Sequence, residues 1–240
     1  MNAEKKKRTR GRRIAAVILL VLLAGGGWAV YRHLQIPAEL LGFAAAYPEA
    51  RSFVMQYPKE AGRHHEIALE TTEGIPLLLQ WDTRWGYERY GDSWIGDSGC
   101  GPTCLSMVVV GLTGQTQQHP LAVARLSEAN GWYVEGVGTA WDLMTEGAAK
   151  LGVQGERGEM TEEWILAHLS AQTPMIASMK PGDFTYGGHF IVLTGIEEDG
   201  RIRVNDPNSP ERSSRSWDVG TLVRQMKGLW VYRLPEDETA

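Results

Sequence analysis

Apolar residues run without a charge from Ile14 to Tyr31, and beyond them the pattern breaks into shorter periods. At about 1.5 Å of rise per residue that run reaches roughly 27 Å, close to the hydrocarbon thickness of a bilayer. From Ile36 to Tyr57 helical spacing appears in two pieces separated by Pro48. Leu40, Leu41 and Ala44 share one face of the first piece, and Phe53, Val54 and Tyr57 mark the second. The pair predicts a helical stalk, or a brace packed on the globular part of the chain. Residues 58–73 are polar and charged, and read as a linker with one short strand.

Further on, helices come first and strands later. Helices are predicted from Cys100 to about Gly111, from Pro120 to Asn130, and across "GTAWDLMTEGAAKLG", where Thr139 is the N-cap and Asp142 follows three residues on. Another begins at Thr161, with Glu162 and Glu163 in its first turn. After Pro174 the segments "PMIASM", "HFIVLTGI", "RIRVNDP" and "GLWVYRL" are short, β-branched or aromatic, and bounded by turn residues. This order predicts an α+β fold, with a helical part packed on an antiparallel sheet.

Charge divides the chain. Seven of its 24 Lys and Arg but one of its 29 Asp and Glu precede Ile14, so the rest carries −11 against −5 for the whole. An acidic body argues against nucleic acid as a partner. The basic head flanking an apolar run predicts a single membrane-spanning anchor, with everything after Arg32 outside the cytoplasm. A cleaved signal peptide is the competing reading, and makes the rest secreted. The expected organisation is a basic cytoplasmic head (1–13), a transmembrane helix (14–31), a helical stalk and linker (32–73), a globular domain (74–234) and an acidic tail (235–240). The pattern specifies no oligomeric state.

The candidate chemistry centres on Cys100, set between Gly99 and Gly101 before Pro102 and an apolar helix. Glycines let the backbone turn sharply and let a substrate approach, which makes Gly99 and Gly188 candidate substrate-binding positions. A thiol at a helix start meets the positive end of the helix dipole, which favours the thiolate. A small buried hydrophobe is the plainer alternative. Cys104, one turn on, reads as a core residue; a disulfide to Cys100 would need an orientation that a regular helix does not supply.

Of the six histidines, His33, His64, His65, His119 and His168 fall in linker, loop or surface-helix contexts. His189 opens an apolar strand after Gly187 and Gly188. Asp206 lies at the far end of the returning strand and could hold the imidazole by its Nδ1–H, with Asn205 and Asn208 as alternatives. A strict two-residue Asp199–Gly200 turn would leave Asp206 opposite Leu193, about 13 Å along the strand from His189, so a bulge or wider loop is needed. Gln80 carries a side-chain amide that could point at the site as an oxyanion donor beside the Cys100 N–H. Trp81, Trp85, Trp132 and Trp141 cluster around these segments; Trp81 and Trp141 are the candidate cleft walls, with core packing as the alternative.

Gln80, "GCGPTCLSM", "GGHFIVLTG" and "VNDPN", in that order, resemble the papain-superfamily cysteine peptidases related to double-glycine leader peptidases. The likeness covers about Ile75 to Tyr232 and is greatest to an exported, membrane-anchored bacterial branch. It implies a papain-like fold, no cofactor, a peptide or protein substrate, Cys100 as nucleophile, His189 as general base and acid, Asp206 as its orienting partner, and Gln80 as oxyanion donor. The separation of Gln80 from Cys100 is longer than is typical of papain-like enzymes. A cell-wall peptide amidase with the same dyad, a non-catalytic peptide-binding module, and a zinc site from Cys100, Cys104 and His189 are the competing readings. The last lacks a second ligand pair at usual spacing.

Overall fold

The computed structural model describes residues 17–19, 21–23, 25–27, 30, 34–71 and 73–235. The basic head, residues 236–240 of the acidic tail and part of the expected anchor lie outside the described residues. Among the described residues no helix is long and apolar enough to cross a membrane.

Two short ribbons, β1 (Arg89–Tyr90) with β2 (Ser93–Trp94) and β3 (Tyr133–Val134) with β4 (Gly138–Thr139), flank a larger sheet. That sheet contains β5 (Gln154–Arg157), β6 (Met175–Met179), β7 (His189–Ile196), β8 (Ile202–Asn205), β9 (Ser216–Trp217) and β10 (Met226–Arg233). Its order is β5–β10–β6–β7–β8–β9, with every pair antiparallel.

Side chains alternate across the sheet, and both faces are covered. Ile176 and Val192 pack with Leu105, Val108 and Val109 of the Cys100 helix. Met175, Ala177, Ile191 and Leu193 enter a second core with Ile165 and Leu222, from the helices Glu162–His168 and Val219–Gln225. Burial on both faces explains why β6 and β7 show almost no polar alternation.

The Cys100 helix spans Cys100–Thr113 and ends at Gly114, whose φ of 71° is left-handed and whose N–H donates to Val110 O. Pro102 sits at the third helical position, still among the N–H positions with no intrahelical acceptor. Gly101 has a packing reason: a Cβ there would lie 2.7 Å from Thr139 Oγ1.

Several local expectations are corrected. The single helix predicted around Trp141 is a 3₁₀ turn, Trp141–Met144, followed by a helix, Glu146–Lys150. Thr139 is in β4 rather than at an N-cap, and its Oγ1 shares a hydrogen bond of 3.0 Å with Tyr90 Oη. The second N-terminal helix runs Arg51–Glu60, so Pro58 removes one hydrogen bond in the closing turn without ending the helix before Glu60. No strand appears between Ala61 and Glu73 among the described residues. The hairpin is not a two-residue turn: Glu197 N–H donates to Arg201 O, and the register shifts between Leu193 and Gly195.

The N-terminal helices, Ala38–Ala46 and Arg51–Glu60, form a brace. Ile36, Leu40, Phe43, Phe53 and Val54 share a core with Trp94, and Trp81 and Tyr87 pack against it.

Candidate active site

The bulged hairpin brings the Asp206 loop back toward the start of β7. Val192 pairs with Asn205, so Asp206 stands two residues nearer His189 than a strict turn would place it. His189 Nε2 and Asp206 Oδ1 are 2.8 Å apart, with 6% and 0% of their side chains exposed. The sequence leads one to expect the carboxylate at Nδ1; the structure puts it at Nε2. The distal nitrogen reaches farther from the backbone, which suits a carboxylate beyond the end of β8. Nδ1 is thereby left for the other side of the ring.

Three further groups hold Asp206. Arg212 Nε donates to Oδ2 at 2.6 Å, Asn208 N–H donates to Oδ1 at 2.8 Å, and Ser213 Oγ meets the Asp206 backbone N–H at 2.8 Å. Burial favours the neutral acid, but the charges and hydrogen bonds of His189 and Arg212 outweigh it, so the Asp206 carboxyl lies below its ordinary range. For His189, burial opposes the charged ring and the Asp206 carboxylate overcomes that opposition. A hydrogen bond and charge from Cys100 add to it, and the ring's pKa is raised to about 10.

Cys100 is half-buried at the first turn of its helix. Gly99 precedes it with no side-chain cap on the helix end, and the first-turn N–H groups have no intrahelical acceptor. A cavity of about 190 Å³ joins Cys100 to His189, lined also by Gln80, Ser178, Trp141 and Gly188 among others. Gln80 Oε1, Ser178 Oγ and Asn208 Oδ1 are buried polar atoms of cavity-lining residues with no protein partner. Cys104 is fully buried, and burial pushes its thiol well above the ordinary value. Both thiols are free. Among the described residues no three His, Cys, Asp or Glu side chains are grouped to hold a metal ion.

A model of the Peptidase_C39 like family matches residues 72–233. The chain belongs to this family and is a cysteine peptidase. No curated protein sequence matches it. Among solved structures it resembles a double glycine motif protease from an AMS/PCAT transporter, crystallised with its leader peptide. That match has 17% identity and a TM-score of 0.42, over 69% of this chain and 96% of the other. It also resembles the peptidase domain of Streptococcus ComA, a bifunctional ABC transporter, at 20% identity and a TM-score of 0.41, over 58% of this chain and 93% of that one.

Within this peptidase, Cys100, His189, Trp141 and Gly188 line one cavity, with Asp206 Oδ1 on His189 Nε2. Gln80 lines the cavity too, but its amide is not free to point into it. Nε2 donates to Gly96 O at 3.0 Å and Asp97 O at 2.9 Å, carbonyls of the turn leading to Cys100. Those carbonyls end a helix of one turn and lack intrahelical donors, which is why a buried amide is drawn to them.

Two expected substrate contacts fall elsewhere. Trp81 packs on the brace and donates from Nε1 to Asn208 O at 3.3 Å, so it supports the acid loop from behind. Gly99 does not line the cavity; a Cβ there would lie 2.5 Å from Ile95 O, which makes it a packing glycine. Of the alternatives to Asp206, Asn205 turns away to Ile75 O at 3.0 Å, and Asn208 reaches Oδ1 through its backbone.

Sequence reasoning misses Arg212 and Tyr47. Arg212 has a readable signal: Ser209 caps a short helix begun by Pro210, accepting from Arg212 N–H, and that turn folds the arginine back over Asp206. Tyr47 has none, because only tertiary packing carries it to the cavity.

Proposed function

We propose that this peptidase hydrolyses peptide bonds with Cys100 as nucleophile, His189 as general base and acid, and Asp206 as the partner that orients the imidazole. The observation that carries this reading is the 2.8 Å contact from His189 Nε2 to Asp206 Oδ1 on a ring whose cavity also holds Cys100. The Cys100 thiolate attacks the scissile carbonyl carbon, forming a C–S bond and an oxyanion. The Cys100 backbone N–H, at the positive end of its helix, is placed to receive that oxyanion. As the C–N bond breaks, His189 Nδ1 gives its proton to the leaving amine. Water then surrenders a proton to His189 and attacks the thioester, releasing the acid and the sulfur.

With both amide hydrogens engaged, Gln80 acts in this reading by holding the Gly96–Asp97 turn and hence the backbone entering Cys100. The basic head before a charge-free run at 14–31 supports an extracytoplasmic peptidase tethered to the bilayer.

The test is cleavage of a peptide library and of cell-wall peptides by the wild type and Cys100→Ala. Cleavage of peptides that disappears in the variant supports the reading. Turnover confined to cell-wall amides reassigns the substrate, and activity retained by Cys100→Ala overturns the nucleophile.

A further inference from the structure

The family match begins at residue 72, yet the cavity has a wall from upstream of it: Tyr47, between the two brace helices. The tyrosine is fixed from several sides. Its ring is 5.2 Å from Phe43, and its Oη shares a hydrogen bond of 3.3 Å with Thr185 Oγ1, just ahead of His189. The brace itself is seated closely. Phe53 stacks on Tyr87 with ring centroids 4.2 Å apart and occupies space that a Cβ on Gly86 or Gly96 would need. Two residues from Tyr47, Glu49 accepts hydrogen bonds from Ser209 Oγ and, at 3.0 Å, from Glu211 N–H. The same short segment therefore touches the cavity and ties down the loop bearing Asp206.

Exposed apolar side chains stand on the cavity wall and beside Tyr47, alongside the polar Asp97, Ser98 and Lys227. Tyr186, just outside the cavity lining, lies 6.2 Å from Tyr47 ring to ring and is 79% exposed; of the lining residues, Val137 is 78% exposed and Trp141 37%. Large exposed side chains gathered at a catalytic cavity offer area for a ligand to cover.

We infer that Tyr47 is a specificity-determining residue: with Tyr186 it forms a subsite for a bulky apolar side chain of the peptide substrate, so the brace is part of the substrate site. The inference rests on the peptide-hydrolase reading above. A chain lying across the cavity would set one side chain over the Tyr47–Tyr186 pair.

The test uses the full chain and peptides differing at one position at a time. Wild type should favour an aromatic or large aliphatic residue at one position. Tyr47→Ala and Tyr186→Ala should each cut that preference in kcat/KM about tenfold, mainly through KM, while Tyr47→Phe keeps it. The same peptides are titrated by fluorescence anisotropy onto Cys100→Ala with and without these changes, which reads the subsite without turnover. There the apolar peptide should lose about tenfold in affinity when either tyrosine becomes alanine. Unchanged preference and unchanged affinity in both alanine variants overturn the inference. If Tyr47→Ala fails to fold, Tyr186→Ala, altered at an exposed ring, decides alone. Absence of Cys100-dependent cleavage counts against the peptide-hydrolase reading, and the binding titration still decides the subsite.

Discussion

Arg212 Nε donates to Asp206 Oδ2 at 2.6 Å, on the carboxylate oxygen opposite the one that meets His189. One buried acid thus serves two cations, each with its own oxygen, and rotation of the carboxylate would break both contacts. The group that meets the imidazole is itself pinned.

Removing the outer cation should therefore be felt in stability and in its pH dependence. The Asp206 carboxyl is held below its ordinary value, so its contribution is present above the unfolded pKa and lost as pH falls through the folded one. Arg212→Leu should cost about 2–4 kcal/mol at neutral pH, with the difference from wild type narrowing below about pH 4. Urea unfolding across that range measures it; an undiminished difference in acid would assign the loss to packing alone.

The His189 ring predicts the alkaline side of the activity profile. Its pKa is raised, so the imidazolium paired with Asp206 persists below that value and is lost as pH rises through about 10. In Asp206→Asn the opposing carboxylate is gone while burial remains, so the alkaline limb of kcat/KM should move to lower pH and kcat should fall by about 10²-fold or more. A limb that stays in place would mean that another group sets it.

The two cysteines should differ in reactivity. Cys100 borders the cavity, whereas Cys104 is buried beneath it with its thiol pushed up. Iodoacetamide at about pH 6 should modify one thiol per native chain and none in Cys100→Ser, with the second appearing only in denaturant. Mass spectrometry of the intact protein counts the adducts, and early labelling of Cys104 would contradict the packing.

The brace should matter for global stability. Phe53 is 2% exposed and stacks on Tyr87. Phe53→Ala should destabilise by about 3 kcal/mol and lower Tm by about 6–12 °C. A thermal scan matching wild type would show that the helices Ala38–Ala46 and Arg51–Glu60 fold apart from the rest.

Much of the fold is legible along the chain, because periodicity and capping are local. The α+β order, the strands β6, β7 and β10, the helix starting at Cys100 and the Thr161 cap all come from residue patterns a few positions wide. Polar "QGER" conceals β5, since an edge strand has one neighbour and little to bury. Around Trp141, capping chemistry misleads because Thr139 finds Tyr90, a partner far away in sequence.

Cys100, His189 and Asp206 stand out in the sequence as candidates by residue type and by their places at the ends of elements. Only tertiary structure decided which atoms meet. A register shift of one residue at Leu193–Gly195 moves a carboxylate by a strand step, and no local pattern records it. The choice of Nε2, the capture of the Gln80 amide by two carbonyls, the second cation on Asp206 and the entry of Tyr47 into the cavity depend likewise on distances between segments far apart in the chain. Such distances accumulate from bulges, loops and packed faces, whereas hydrophobic spacing encodes only each element's own period.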